Sequence, residues 1–136
     1  MSCILRVSGN SLDIDALIAQ HSLAVNRKWK KGEPRMLKGR THSNAGANYI
    51  ASNADLDQFE LQLTDATQFM EKNLSDIKNI TSFPGVESAT LDFGVALNEG
   101  YVAQFAYLPP HFLKLAVDVG VGIEISHYAC SDDENI

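Results

Sequence analysis

The sequence predicts an α+β domain, in which helices pack on one side of a mainly antiparallel sheet. Two patterns support this class. Apolar and polar residues alternate near both ends of the chain and again after Pro84-Gly85, which is typical of strands with one buried face. Between residues 56 and 70, apolar residues recur every third or fourth position, which is typical of an amphipathic helix. The predicted order is β-α-β-β-α-α-β-β-α-β.

The length fits one domain. A chain of 136 residues buries about two-thirds of its unfolded surface and needs no metal or disulfide to hold its core. We assign residues 1–130 to a single α+β domain. Residues 131–136 are mostly acidic or polar, and we expect them to form a flexible acidic tail.

The chain is predicted to begin with a strand and a short helix. Cys3, Leu5 and Val7 alternate with Ile4 and Arg6, which is the period-two pattern of a strand with one buried face. Ser11 or Asp13 can cap the helix that follows, because either side chain can accept a hydrogen bond from a free N–H group of the first turn. Residues 14–18 supply the apolar stripe of this helix, which is expected to stop near His21.

The next region has weak periodicity. Glycine and proline interrupt the segment from Arg27 to Ile50, so we expect two irregular strands around a loop. Strand character in the second of them is confined to Ala47, Tyr49 and Ala51.

Two consecutive helices are predicted in the middle of the chain. The apolar stripe of residues 56–70 predicts the first, with Asn53 or Asp55 as its cap. The spacing then slips, and Ser75 can cap a second helix that ends before Pro84.

The last third of the chain is predicted to contain a hairpin, a helix and a strand. Residues 88–97 form a long alternating strand, and Asn98-Glu99-Gly100 is a suitable turn into a return strand over 101–107. Pro109-Pro110 is suited to the first turn of a helix, and residues 123–128 alternate as a final strand. The predicted buried face of that helix consists of Phe112, Leu113, Ala116 and Val119.

Charge is unevenly distributed. Seven of the eleven Lys and Arg residues lie between Arg27 and Arg40, and Glu33 is the only acid there, so this segment carries +6. The rest of the chain carries −12, which gives a net charge of −6. A segregated basic patch indicates a surface that can hold an anionic partner.

The basic segment is the candidate binding site, and it also contains the only tryptophan. Two interpretations of Trp29 are open: the indole anchors the turn to the core, or it stacks on a bound ring. If the segment starts as a strand, Lys28 and Lys30 share one face and Trp29 lies on the other. The candidate ligand-binding or partner-binding residues are Trp29, Lys30, Lys31, Arg35, Lys38 and Arg40.

No motif indicates catalysis, a metal or a cofactor. The four histidines lack ligand-like spacing, and the glycines form no phosphate-binding loop. Cys3 and Cys130 lie outside any CxxC motif. The start of the sequence lacks the pattern of a secretory signal, and no apolar stretch is long enough to cross a bilayer. We therefore expect a cytoplasmic protein with two free thiols.

Three features together resemble a known family. They are the early Ser8-Gly9, the turn Trp29-Lys30-Lys31-Gly32-Glu33-Pro34 and the late strand that ends in Tyr128. They are similar to those of small bacterial domains of unknown function that share an early Ser-Gly, a Trp-x-Lys-Gly-acid-Pro turn and a terminal strand ending in Tyr. A second Trp often follows the turn in that family, and this chain has Asn48-Tyr49-Ile50 there. The resemblance implies an α+β fold and supplies no activity, cofactor or catalytic residue.

The function that we predict is an interaction domain that binds an acidic protein surface or a small anionic ligand through residues 27–40. An enzyme or nucleotide-handling protein with a cleft beside that segment is the first alternative. Nucleic-acid binding is the second, although the net negative charge opposes it. The basic segment could also pair with the acidic helix at 55–71 of a second copy and give a homodimer.

Overall fold

The computed structural model describes residues 1–36 and 39–129, which form one five-stranded sheet and four helices. The predicted α+β class is therefore confirmed. The predicted tail, 131–136, lies outside the described residues. The strands are β1 (Cys3–Gly9), β2 (Arg27–Trp29), β3 (Ala45–Ser52), β4 (Ser88–Leu97) and β5 (Gly122–Ala129). The helices are α1 (Ile14–Ala19), α2 (Phe59–Lys72), α3 (Leu74–Thr81) and α4 (Pro110–Val119).

The sheet is mainly antiparallel, as predicted, and its strand order is β2-β3-β1-β4-β5. Strand β1 is central and pairs antiparallel with both β3 and β4. Strand β2 pairs antiparallel with β3. Strands β4 and β5 are parallel, and α4 lies in the connection between them, as a parallel pair requires.

The helices pack against one face of the sheet. Cys3, Leu5 and Val7 of β1 are fully or almost fully buried, and they belong to the same apolar cluster as the buried residues of all four helices. Helix α1 begins as predicted, because the Asp13 carboxylate accepts a hydrogen bond from the Ala16 N–H at 3.1 Å. The alternation of β1 thus places one face in the core and leaves the other for polar groups.

Helix α2 begins later than predicted. It starts at Phe59 after Gln58, so the predicted caps Asn53 and Asp55 were wrong. The Gln58 N–H donates to the Asp55 carbonyl at 3.0 Å, and the Gln58 side chain accepts from the Asp55 N–H at 3.1 Å. Residues 55–58 therefore form a hydrogen-bonded turn before the helix starts.

Two smaller corrections concern α3 and α4. Helix α3 begins at Leu74, directly after Asn73, so Ser75 lies inside the helix and does not cap it. Leu113 is exposed, although the residue before it, Phe112, is fully buried. The step of about 100° per helical residue carries Leu113 away from the core face.

The predicted return strand over residues 101–107 was wrong. That segment has no strand pairing, and all of its side chains are exposed. Strand β4 already pairs with β1 on one edge and with β5 on the other, so no edge is left for a hairpin partner. The alternation of residues 101–107 therefore reflects an exposed apolar segment and not a strand.

The face of the sheet opposite the helices carries a polar network. Asp92 is 8% exposed, and one of its carboxylate oxygens lies 2.7 Å from Arg6 Nη2. The other oxygen accepts a hydrogen bond from Ser126 Oγ at 2.6 Å. These contacts satisfy a nearly buried charge and link β1, β4 and β5.

Within the described part of the chain, no helix combines the length and the apolar character needed to span a membrane.

Candidate functional site

The described part of the basic segment forms a β-like arm, which we define as residues 30–36 and 39–42. The Gly32 N–H donates to the His42 carbonyl at 2.8 Å, and the His42 N–H donates to the Glu33 carbonyl at 2.8 Å. Farther along the arm, the Arg35 N–H donates to the Arg40 carbonyl at 2.9 Å. Gly32 adopts a φ of 89°, a conformation that other residues rarely accept. The arm therefore extends the β2–β3 ribbon beyond the sheet.

Trp29 lies at the base of this arm, on the sheet face opposite the helices. Its ring packs over Gly46, the residue that pairs with it in β3. The indole N–H donates to Asn44 Oδ1 at 3.1 Å. The indole also stacks on His42, with ring centroids 5.4 Å apart and an interplanar angle of 19°. His42, Asn44 and Gly46 thus fix the orientation of a half-buried indole.

A shallow hollow adjoins this indole. We call it the arm hollow, and its volume is about 170 Å³. This volume is below the range of about 300–1,000 Å³ that is usual for small-molecule clefts, so the hollow suits a single small group. Its lining residues are Arg27, Trp29, Arg35, Met36, His42 and Asn48.

The two arginines of the arm hollow have no acidic partner among residues 1–36 and 39–129. Arg27 Nη1 instead lies 3.3 Å from the sulfur of Met36, an exposed residue of the arm. Guanidinium groups bind carboxylate and phosphate through paired N–H donors. The arm hollow therefore offers two uncompensated cations beside an aromatic surface.

Two lysines of the same segment lie on the helix side of the sheet, where they share one acidic partner. Lys28 Nζ lies 2.9 Å from one oxygen of Asp15, and Lys30 Nζ lies 2.7 Å from the other. The bond from Lys30 is the main reason that the pKa of Asp15 lies below its usual value, and Lys28 adds to this effect. The same bond to Asp15 raises the pKa of Lys30. These two lysines and Asp15 form a small ionic group on α1 and β2.

The predicted binding residues therefore do not form one cluster. Trp29 and Arg35 line the arm hollow, whereas Lys30 is directed to Asp15 on the other face. Lys31 is directed to Asn10, whose Oδ1 accepts from Lys31 Nζ at 2.9 Å. Arg40 is exposed on the arm, and Lys38 lies outside the described residues. Of the six predicted residues, two line the hollow.

Four residues of the arm hollow were absent from the predicted set. Arg27 belongs with Trp29, since positions two apart in a strand share a face, so the alternation could have identified it. Asn48 pairs with Arg27 across β2 and β3, and His42 reaches Trp29 only because the arm folds back. These contacts are long-range, and a single sequence gives no signal for them. Met36 had no distinguishing feature in the sequence.

Metal binding and a reactive thiol have little support in the described residues. No group of three or more His, Cys, Asp or Glu side chains there is placed to hold a metal ion. The Cys3 thiol is buried, and burial raises its pKa far above the ordinary value, so it is held as a neutral thiol.

Comparisons with known proteins give no identity. No protein-family model, no curated protein and no solved structure matches the chain. A functional proposal therefore rests on the geometry of the site.

Proposed function

We propose that the protein is an interaction domain that binds an acidic protein surface or a small anionic ligand at the arm hollow. The observation that carries this proposal is the pairing pattern of the basic segment. Lys28 and Lys30 share the Asp15 carboxylate, whereas Arg27 and Arg35 line the hollow without an acidic partner among the described residues.

The charge distribution favours binding of a small anionic group over binding of an extended anionic partner. The arm lies in a chain of net charge −6, and the positive potential of a few residues extends over about one Debye length, roughly 8 Å at physiological salt. A carboxylate or phosphate that enters the hollow meets two guanidinium groups within that distance. A nucleic acid would extend past the arm and meet the rest of the chain, which carries −12.

The fixed orientation of the Trp29 indole suits it to form one wall of the binding site. Because Asn44 and His42 hold the Trp29 ring in place, the ring presents a surface of defined orientation to a bound group. The side chain needs little further ordering on binding, which lowers the entropic cost. Anchoring and ligand contact, the two interpretations of Trp29, are thus compatible in this arrangement.

The chain provides a matched pair of variants to test the proposal. Arg27→Ser/Arg35→Ser removes two positive charges from the hollow, and Lys28→Ser/Lys30→Ser removes two from the opposite face. The probes are inorganic phosphate, for a small anion, and an oligoglutamate peptide, for an acidic protein surface. Both are titrated at low salt by calorimetry and by the fluorescence of Trp29, which is the only tryptophan.

We expect at least one probe to bind the natural protein and to bind the arginine variant more than about tenfold more weakly. This follows because a hydrogen bond to a charged group contributes about 1.5–3 kcal/mol. The lysine variant should bind within a fewfold of the natural protein. Equal weakening in both variants would show a general charge effect, and failure of both probes to bind would reject the proposal.

A further inference from the structure

A second surface of the molecule has features of a binding site. The segment that was predicted as a return strand, residues 101–107, exposes four large apolar side chains. Phe105 is 90% exposed and Tyr107 is 73% exposed, and Tyr101 and Val102 are also largely in solvent. A concentration of exposed apolar side chains of this kind is typical of contact surfaces.

Two of these side chains border a large groove against α2. We call it the α2 groove, and its volume is about 1,100 Å³. Phe105 and Tyr107 lie on one wall, Leu61 is exposed on the α2 wall, and the core residue Phe112 also contributes to the lining. The groove volume lies just above the usual range for a small-molecule cleft, about 300–1,000 Å³, so the groove has room for several side chains of a polypeptide segment.

The acidic lining of the α2 groove indicates the charge of the polypeptide segment that it can bind. Asp57, Glu60 and Glu71 line it, and no Lys or Arg among the described residues does so. The one basic side chain in the lining is His111, whose Nε2 lies 2.9 Å from Glu71 Oε1. A partner with apolar side chains flanked by Lys or Arg would match both the apolar walls and the acidic rim.

We propose that the α2 groove is a docking site for a cationic amphipathic segment of a partner protein. The apolar side chains of that segment contact Leu61, Phe105 and Tyr107, and its Lys or Arg residues pair with Asp57, Glu60 and Glu71. This site is separate from the arm hollow, with which it shares no lining residue. The proposal therefore does not depend on the function proposed for the hollow.

Two other occupants have to be distinguished from a partner segment. A membrane with anionic lipids would be repelled by the acidic rim, although the exposed aromatic residues alone would suit it. A second copy of the chain could insert its basic arm, because Arg35 and Arg40 are exposed there. The test separates both cases from a partner segment.

The probe is a synthetic helical peptide of leucine and lysine in an amphipathic pattern, and its control is the same pattern with glutamate in place of lysine. Binding is measured by calorimetry with the full chain. The groove variant is Phe105→Ser/Tyr107→Ser, and the matched control is Tyr101→Ser/Val102→Ser, which removes two equally exposed side chains of the same segment that do not line the groove. A second pair tests charge: Asp57→Asn/Glu60→Gln in the groove and Glu99→Gln/Asp118→Asn elsewhere on the surface.

We expect the lysine peptide to bind and the glutamate peptide not to bind. Phe105→Ser/Tyr107→Ser should weaken binding about tenfold or more, because aromatic anchors dominate such interfaces. Asp57→Asn/Glu60→Gln should weaken it about threefold or more, because an exposed ion pair contributes up to about 1 kcal/mol. The two controls should bind as the natural chain does. Equal affinity in all variants, or no binding of the lysine peptide, would overturn the proposal.

Two further measurements complete the test. Sedimentation of the natural chain shows its oligomeric state, and a dimer that the groove variants dissociate would assign the groove to a second copy and reject a partner segment. Co-sedimentation with vesicles of anionic phosphatidylglycerol tests the membrane. Binding to vesicles that is lost in Phe105→Ser/Tyr107→Ser would equally reject the proposal. A monomer that does not bind vesicles is the expected result.

Discussion

Replacement of Gly46 by alanine tests the placement of Trp29 directly. A Cβ atom at this position would lie 2.5 Å from the indole carbon Cζ2 of Trp29 and 2.5 Å from the carbonyl oxygen of Val7. Ordinary contacts to a Cβ begin near 3.4 Å, so each neighbour would have to move by 0.9 Å. The Val7 oxygen belongs to the central strand of the sheet and cannot move far without disturbing the pairing of β1 with β3.

The expected cost of Gly46→Ala is about 1–3 kcal/mol of unfolding free energy, the usual range for overpacking. We place it in the upper half of that range, because one of the two neighbours is backbone. Urea denaturation measures the loss, and the emission of Trp29 should shift to longer wavelength as the indole moves toward water. Gly122→Ala is the matched control, since its Cβ meets no atom closer than Ala89 O at 3.9 Å.

The control should change stability by less than about 0.5 kcal/mol, as surface substitutions usually do. If Gly46→Ala matched the control in stability and left the emission of Trp29 unchanged, the indole would not pack over β3. The geometry of the arm hollow would then be incorrect as well, since Trp29 forms one of its walls.

Two other predictions concern the polar network and pH. Arg6→Met should lower the unfolding free energy by about 1–2 kcal/mol in urea denaturation, because the nearly buried Asp92 carboxylate loses a charge-assisted hydrogen bond. If Arg6→Met caused an equal loss in an Asp92→Asn background, the Arg6–Asp92 pair would not be its source. Burial lowers the pKa of His21 below its ordinary value of 6.5, so the unfolded chain takes up this proton more readily, and stability should fall as the pH decreases through 6.5. Its Nδ1 accepts from the Leu23 N–H at 3.1 Å, a bond that protonation removes, and thermal unfolding of His21→Gln should show a smaller loss between pH 7 and pH 5. An unchanged pH dependence in that variant would place the titrating group elsewhere.

Local patterns predicted most of the fold. The alternation of residues 3–7 and the Asp13 cap correspond to β1 and α1, because both signals act within a few residues. The return strand over residues 101–107 failed for a long-range reason, since the edge that it needed is occupied by β5. A single sequence does not indicate which of two alternating segments takes a shared edge.

In the candidate site too, local patterns were predictable and long-range contacts were not. Alternation along residues 27–30 correctly separated Trp29 from Lys30, since Trp29 lines the arm hollow and Lys30 is directed to Asp15 on the other face. The pairing of Lys30 with Asp15 and the stacking of His42 on Trp29 depend on how α1 and the arm fold back. The charge of the segment was therefore predictable, and the subset of cations that remains uncompensated was not.

The parallel pairing of β4 with β5 also has a consequence for synthesis of the chain. A ribosome releases β1 to β4 before α4 and β5, and these four strands already form a contiguous antiparallel sheet. Until β5 arrives, β4 is an edge strand whose residues 91–96 are buried in the finished protein. Unpaired apolar edges of this kind promote aggregation of nascent chains. The C-terminal strand therefore shields a surface that the rest of the domain exposes while it is still being made.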